Sequence, residues 1–181
     1  MSAFYKLFAF GFLMSTVASI FQYIPKYSGT LNFSLEEASF VAGAAMLGST
    51  TGKVGLGMIN DKSISLGIFA TIGMGVAGLA LMMFGSSGLT ILICGGFLFG
   101  WAHAGVFVQT PLLVRNVFGG KSYSQIYSNI SMAITAASAI AIGGIGFLAD
   151  FGGYDLIFVL GIASLIICGV LGFTSIKKIS R

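Results

Sequence analysis

Apolar residues dominate this chain in six long stretches, and short polar or glycine-rich connections separate them. Each stretch is close to the roughly 20 residues with which a helix crosses the hydrocarbon core of a bilayer. None alternates with a period of two, as the strands of a membrane barrel would. The pattern therefore predicts an all-α membrane protein with six transmembrane helices, at Phe4–Ile24, Leu35–Ile59, Ile64–Phe84, Leu89–Val114, Tyr123–Leu148 and Leu156–Phe173.

The connections predicted between these helices carry residues that are typical of turns. Three of them are Pro-Lys-Tyr-Ser-Gly at 25–29, Gly-Ser-Ser-Gly at 85–88 and Phe-Gly-Gly-Lys at 118–121. Ser34 and Glu37 have the spacing of a capping box, in which the two side chains accept hydrogen bonds from free amides at the start of a helix. The second helix is therefore expected to begin just after Ser34.

The composition indicates the same class of protein. Of 181 residues, 56% are hydrophobic and only 8% are charged, whereas soluble domains carry roughly 25% charged residues. The chain has 27 glycines and 2 prolines, which suits helices packed closely in lipid because small residues let backbones approach. A soluble fold is excluded on these grounds.

The charges predict how the helices are oriented. With six crossings, both termini share one side with the second and fourth connections. Of the nine basic residues only Lys26 lies on the other side; the shared side holds Lys6, Lys53, Lys62, Arg115, Lys121, Lys177, Lys178 and Arg181. The acidic residues Glu36, Glu37, Asp150 and Asp155 lie with Lys26. By the positive-inside rule, both termini are expected in the cytoplasm, in a bacterial inner membrane. The net charge of +4 is then a topology signal, and no nucleic-acid partner is expected.

The amino-terminal apolar run and the two cysteines are both interpreted as parts of transmembrane helices. Lys6 and the apolar run after it resemble a signal peptide, but the run reaches Ile24 without a good cleavage site. Cys94 and Cys168 lie inside predicted helices and are too few for a disulfide framework or a metal site. No cofactor or metal is expected.

The chain also repeats itself. Residues 57–61 and 146–150 both read as glycine, two bulky apolar residues, one further residue and aspartate, and their aspartates, Asp61 and Asp150, are 89 residues apart. Three crossings separate the two copies, so they face opposite sides of the membrane. The chain is therefore predicted to be one transmembrane domain, 1–181, built as an inverted repeat of three plus three helices with units at about 1–86 and 87–181.

Polar side chains concentrate on the first, second, fourth and fifth helices, while the third and sixth look lipid-facing. Such residues either join helices by hydrogen bonds or line a cavity for a solute. The candidates for a cavity are Ser15, Ser19, Gln22, Tyr23, Trp101, His103, Gln109, Tyr127 and Ser131. His103 titrates near neutral pH and suits either proton coupling or a neutral interhelical hydrogen bond. No lysine or arginine is expected at mid-membrane, so an anion site from this chain alone is not expected.

Small residues recur every four positions on two of these helices, where close crossings are expected. They are Ala44, Gly48 and Gly52 on the second helix and Gly96, Gly100 and Ala104 on the fourth.

Three segments resemble the major facilitator superfamily. Residues 52–62, with glycines before Asp61 and then Lys62, resemble its signature loop, although the arginine and the glycine-arginine pair that usually follow the aspartate are missing. Residues 118–127 resemble the link into the fifth helix of carboxyl-terminal halves, and residues 146–154 resemble the turn into the last helix. The nearest branch is that of the oxalate/formate antiporters and monocarboxylate transporters.

The resemblance implies secondary active transport of a small solute; a carboxylate is one candidate, and the sequence leaves the substrate open. It implies that the chain is the carboxyl-terminal six-helix half of a twelve-helix carrier, with a second six-helix half, the same or different, as its partner. In such carriers charged pairs latch the cytoplasmic gate, and Asp61 with Arg115 or Lys62 is the candidate here; a simple surface charge in a tight loop is the alternative.

An enzyme is not expected. The chain lacks an H-E-x-x-H motif, a P-loop and a pair of carboxylates. Two non-enzymatic alternatives remain at this stage. One is a substrate-binding membrane subunit of a vitamin-type importer, which would not be expected to show the inverted repeat. The other is an oligomeric channel, which would conduct far faster than a carrier turns over.

Overall fold

The computed structural model describes residues 2–176, and all regular structure in this range is helical. Lys177, Lys178 and Arg181, which entered the charge argument, lie outside the described residues. The helices are α1 (Ser2–Ala18), α2 (Ile24–Thr30), α3 (Leu35–Lys62), α4 (Ile64–Met83), α5 (Leu89–Phe118) and α6 (Tyr123–Ile176). Four helical runs in this range, Ala3–Thr30, α4, α5 and α6, are long and apolar enough to cross a membrane. The prediction of an all-helical membrane protein is confirmed.

The first connection is not where the sequence predicted it. A 3-10 segment, Ser19–Tyr23, joins α1 to α2, so the chain stays helical through residues 25–29. Pro25 lies in the first turn of α2, where its missing N–H leaves no hydrogen bond unmade. The prediction of a turn at this proline is wrong. The chain turns instead at Asn32, with φ 63°.

The start of the second helix and the turn at 85–88 lie where the sequence predicted them, whereas α3 and α5 continue past the predicted ends, Ile59 and Val114, to Lys62 and Phe118. At the start of α3, Glu37 N donates to Ser34 Oγ at 3.2 Å and Ser34 N donates to Glu37 Oε2 at 2.8 Å, which completes the capping box. A single 3-10 turn follows α4 and ends at Gly88. Helix α5 ends just before Gly119, whose φ of 69° is a conformation that glycine adopts readily.

The predicted connection between the fifth and sixth helices shrinks to one residue. Helical geometry in α6 is broken only at Gly153, with φ 73° and ψ 178°. Before this break, α1 and α6 run in the same direction. Ser15 Oγ lies 2.7 Å from Ser138 Oγ, and the Tyr23 hydroxyl, further along the chain, donates to the carbonyl of Ile142.

After the break the order of contacts is reversed. The ring of Tyr27 packs at 4.9 Å from that of Phe158, whereas the earlier residue Phe10 meets the later residue Cys168, whose thiol is 3.8 Å from the Phe10 carbonyl oxygen. The two parts of α6 therefore run in opposite directions, and the chain turns back at Gly153. The count of six spans and the inverted repeat stay predictions and are considered under the proposed function.

Helix α5 packs along both α3 and α4, and α1 packs along α6. The closest approach is the crossing of α3 and α5 at the predicted small residues. A Cβ on Gly48 would lie 2.8 Å from the carbonyl carbon of Phe97, and one on Gly100 would lie 2.6 Å from the backbone nitrogen of Ser49. These distances are shorter than real Cβ contacts, so both positions require glycine for the helices to touch.

Candidate functional site

A groove of about 320 Å³ lies between α1 with its 3-10 continuation, the middle of α5 and the first part of α6. Four of the nine predicted cavity residues line it: Ser15, Ser19, Gln22 and His103. Gln22 is exposed, so the groove opens at the surface. The remaining lining residues are Ala18, Val106, Phe107, Ile134, Thr135 and Ser138.

The serines in the groove also join helices. Ser15 Oγ donates to the carbonyl of Ile134 at 2.9 Å and shares a hydrogen bond with Ser138 Oγ at 2.7 Å. Ser19 Oγ donates to the carbonyl of Ser15 at 2.9 Å. The two interpretations of these residues are therefore not exclusive. The Ser15 side chain holds α1 to α6, and both serines at the same time form part of the polar wall of the groove.

His103 is held between three elements. Its Nδ1 lies 3.0 Å from Ser49 Oγ on α3, and its ring stacks on Phe21 with centroids 4.4 Å apart. The ring of Phe107, one turn further along α5, is 5.6 Å away. The predicted interhelical hydrogen bond of His103 is thus present. Proton coupling through this residue stays a prediction.

Lys53 is the residue that the sequence reasoning missed. It was assigned to the cytoplasmic surface, but it lies nine residues inside the end of α3, which is about 13 Å at 1.5 Å per residue. Its Nζ is 5.2 Å from the centroid of Phe107, within the range of a cation–π contact. The expectation that no lysine lies at mid-membrane stays a prediction. Its spacing of four from Ser49, which puts both on one helix face, was the available signal.

Three other predicted residues lie outside the groove. The hydroxyl of Tyr23 donates to the carbonyl of Ile142. Tyr127 stacks on Tyr123 with centroids 5.3 Å apart, and the carbonyl of Ser131 accepts a hydrogen bond from Thr135 Oγ1 at 3.0 Å. These contacts stabilise helices and helix ends.

Trp101 is also a packing residue. A Cβ on Gly55 of α3 would collide with its indole ring, so the ring fills the space that this glycine leaves. The indole Nε1 is buried and has no hydrogen-bond partner among residues 2–176. Trp101 therefore belongs to the α3–α5 contact and does not line the groove.

Gln109 lies in a separate, fully buried place between α3, α4 and α5. Neither atom of its amide has a partner among the described residues, and neither does Asn60 Oδ1. A Cβ on Gly67 of α4 would collide with both Asn60 Oδ1 and Gln109 Nε2. Asn60 Nδ2 donates to the carbonyl of Leu56 at 2.6 Å, so the unpaired atoms beside Gly67 are Asn60 Oδ1 and the two amide atoms of Gln109. Gln109 is not a groove residue.

Gln109→Met is expected to raise the stability of the protein. Methionine keeps nearly the same length and removes two buried polar atoms without breaking a hydrogen bond, and each unsatisfied group costs about 1–3 kcal/mol. The midpoint of thermal unfolding in detergent should rise, whereas Gln125→Met, at an exposed position of α6, should leave it nearly unchanged. A lower midpoint for Gln109→Met would mean that the amide has a partner, such as a bound water.

The match to a protein family agrees with this architecture. The family model of the Major Facilitator Superfamily matches residues 3–179. The chain belongs to the major facilitator superfamily. This is a family of membrane transporters of small solutes, and not one of enzymes. Comparison with curated proteins gives no match.

The ion pair predicted at Asp61 is not formed among residues 2–176 of this major facilitator chain. Asp61, in the signature loop, is exposed, and no basic side chain within residues 2–176 comes within 4.0 Å of it. Arg115 instead borders a separate space of about 510 Å³ at the end of α5, beside Pro111 and Tyr123. The latch between Asp61 and Arg115 or Lys62 therefore stays a prediction.

Proposed function

We propose that this chain is one six-helix half of a secondary active carrier for small organic anions, of the oxalate/formate or monocarboxylate type. The observation that carries the proposal is Lys53, whose ammonium group lies 5.2 Å from the ring centroid of Phe107, and Phe107 lines the groove. A cation inside a membrane helix is costly unless it serves a ligand or a partner. Within residues 2–176 Lys53 has no carboxylate within 4.0 Å, so it is available to a carboxylate solute.

The rest of the groove suits such a solute. His103, Gln22, Thr135 and Ser138 supply polar groups to the lining of the groove. Phe107, Val106 and Ile134 supply the apolar surface against which the carbon skeleton of a small acid would pack. Mostly apolar walls with a few polar groups are the usual design of a small-molecule site.

The inverted repeat of three plus three helices belongs to this proposal. The turn at Gly153 divides α6 into two spans. With Ala3–Thr30, α3, α4 and α5, six spans result, three before the loop at 85–88 and three after it. The two spans that end in the repeated segments, residues 57–61 and 146–150, then hold equivalent positions in the two units.

A second six-helix half is the proposed partner. The first part of α6 exposes a polar stripe that suits lipid poorly, made of Ser124, Gln125, Ser128 and Asn129. Helix α4, in contrast, exposes Leu66, Phe69, Gly73 and Ala77 along one apolar stripe. A second half, from a copy of this chain or from another chain, would cover the polar stripe and close the groove, while α4 faces lipid.

The termini are proposed to lie in the cytoplasm of a bacterial inner membrane. A cysteine at Ser87 should then react with an impermeant thiol reagent from outside, and one at Ser122 only after permeabilisation. Both serines are exposed. The native Cys94 is also exposed, so it should be replaced first. The reverse pattern of labelling would overturn the orientation.

Exchange of anions across membrane vesicles tests the function. Vesicles from cells that make the chain, loaded with an unlabelled organic acid, should take up labelled oxalate, formate or lactate faster than vesicles without it. The uptake should saturate and should need the internal anion. The proposal would be contradicted if the vesicles exchanged neutral or cationic solutes and none of the organic acids. Uptake that does not saturate with solute concentration would indicate a channel.

A further inference from the structure

His103 makes one hydrogen bond within residues 2–176, and the direction of that bond decides which of its two ring nitrogens carries the proton. Nδ1 lies 3.0 Å from Ser49 Oγ on α3. Nε2 has no hydrogen-bond partner among the described residues, and it is not one of the buried atoms that lack a partner. Because the ring lines the groove, Nε2 is the nitrogen available to a solute there. A neutral imidazole has one donor nitrogen and one acceptor nitrogen, so the bond to Ser49 determines the role of Nε2.

The hydroxyl of Ser49 has this ring as its one acceptor among the described residues. The other hydroxyls of α3 donate to carbonyls of their own helix, as Ser39 does to Leu35 at 2.8 Å. Ser49 makes no such bond within residues 2–176, and its side chain is buried at the crossing with α5. A buried donor without an acceptor is costly, so the Ser49 hydroxyl donates to Nδ1. Nδ1 is then the acceptor, and the proton of the neutral ring is on Nε2.

The close crossing of α3 and α5 brings these two side chains together. Gly100 and His103 are three residues apart and so lie on one face of α5, and a Cβ on Gly100 would lie 2.6 Å from the backbone nitrogen of Ser49. The glycine thus lets α3 approach until the short side chain of Ser49 reaches the imidazole. The ring is also stacked on Phe21, with centroids 4.4 Å apart. The direction of the ring and the position of its proton are therefore both set by the fold, before any solute binds.

Lys53 and His103 both lie beside the ring of Phe107. The distance to the centroid of this ring is 5.2 Å from Lys53 Nζ and 5.6 Å from the centroid of the imidazole. A carboxylate has two oxygens that accept hydrogen bonds. An ammonium group on a flexible stem attracts an anion without a fixed direction, whereas an N–H on a fixed ring binds an oxygen in one direction. The two groups therefore suit the two oxygens of one carboxylate.

We propose that Ser49 is a positioning residue that holds His103 as the neutral tautomer with its proton on Nε2, and that this N–H donates to the carboxylate of the bound solute. The second part rests on the proposed function, because it assumes that an organic anion occupies the groove. In this role His103 is a fixed donor. It differs from a proton carrier, which would have to gain and lose a proton in each transport cycle.

Nitrogen NMR at neutral pH reads the tautomer without any solute. His103 is the one histidine of the chain, so protein labelled with isotopic histidine and purified in detergent gives the signals of a single imidazole. Chemical shifts distinguish a nitrogen that carries a proton from one that does not, and couplings to the ring protons distinguish Nε2 from Nδ1. We expect the proton on Nε2. A proton on Nδ1, or on both nitrogens, in the unaltered chain would overturn the proposal.

Two variants of α3 test the part played by Ser49. The Nδ1 signal should move in Ser49→Ala, because the nitrogen loses its hydrogen bond. Ser39→Ala is the matched control, since it removes a hydroxyl from an exposed position of the same helix, and it should leave both signals unchanged. An Nδ1 signal that stays in place in folded Ser49→Ala would show that Ser49 does not position the ring.

Two replacements of His103 separate a donor from a proton carrier in the vesicle assay. Glutamine can place an amide N–H near the position of Nε2, whereas asparagine is shorter and keeps a polar group only near Ser49, and neither side chain titrates. Exchange of labelled oxalate or lactate should be about ten-fold faster or more in His103→Gln than in His103→Asn, because only the second variant loses the hydrogen bond to the anion.

The outcomes distinguish this inference from the proposed function. Equal rates in the two folded variants, with exchange by the unaltered chain intact, would overturn the donor role of His103 and leave the proposed function standing. If the unaltered chain exchanges no organic acid, the proposed function fails, and the tautomer alone then decides whether Ser49 positions His103.

Discussion

Leucine in place of Gly100 is expected to prevent α3 and α5 from packing and to leave little folded protein in the membrane. A Cβ at this position would lie 2.6 Å from the nitrogen of Ser49 and 2.8 Å from the carbonyl carbon of Gly48. These are backbone atoms of the facing helix, so no change of rotamer can relieve the collision. Overpacking costs about 1–3 kcal/mol when side chains can adjust, and separating two backbones should cost more, out of a total stability of about 5–15 kcal/mol.

The measurement is the amount and thermal midpoint of monodisperse protein in detergent. Gly57→Leu is the matched control, because it makes the same change on α3 where nothing lies within 4 Å of the added Cβ. Gly48→Leu, on the other side of the crossing, should behave like Gly100→Leu. Equal yields for Gly100→Leu and Gly57→Leu would show that the two helices do not cross in this way.

The positions of the helices could be predicted because lipid leaves the backbone no other choice. A chain in hydrocarbon must satisfy its amides and carbonyls internally, so long apolar runs become helices whatever packs against them. The connections were harder to predict. Pro25 looks like a turn residue but lies in the first turn of α2, and the connection between the fifth and sixth predicted helices is only Gly153. Gly152 stands beside Gly153, and nothing in the sequence shows which of the two has the positive φ.

The groove could be predicted only in part. Ser15, Ser19 and Gln22 were found because helical spacing places them on one stripe, and they do line the groove. Trp101 and Gln109 are as polar by type, but they point at glycines of neighbouring helices. Which helix faces a residue depends on tertiary packing, and polarity alone does not reveal it.

The surroundings of Lys53 could not be predicted either. Lys53 was grouped with the nearby loop charges because Asp61 and Lys62 follow it closely in the sequence. Helix α3 continues to Lys62 without interruption, so Lys53 lies more than two turns inside the helix. Its ammonium group lies beside Phe107, a residue that lines the groove, and this contact depends on how α3 and α5 pack.

Lys53→Met is therefore expected to reduce anion exchange about 30-fold or more, while the protein stays folded. Lys53 is exposed in the single half, but once the proposed second half closes the groove, Lys53 and the carboxylate of the solute would form a desolvated charge pair, and truncating one partner of such a pair costs about 2–5 kcal/mol. Folding should suffer little, because the structure shows Lys53 in a cation–π contact with Phe107, which contributes about 0.5–1 kcal/mol at exposed sites.

The comparison of three variants in vesicles distinguishes charge from packing. Lys53→Arg keeps the cation and should retain part of the exchange, whereas Lys53→Met keeps most of the apolar stem and should lose nearly all of it. Lys121→Gln removes a positive charge from an exposed turn and should leave exchange close to that of the unaltered chain, which excludes an effect of net charge. Exchange that survives Lys53→Met would place the anion elsewhere, and loss of folded protein in that variant would show that Lys53 has a structural partner. With folding intact, the ratio of exchange rates for Lys53→Arg and Lys53→Met measures how much the positive charge contributes to binding the solute.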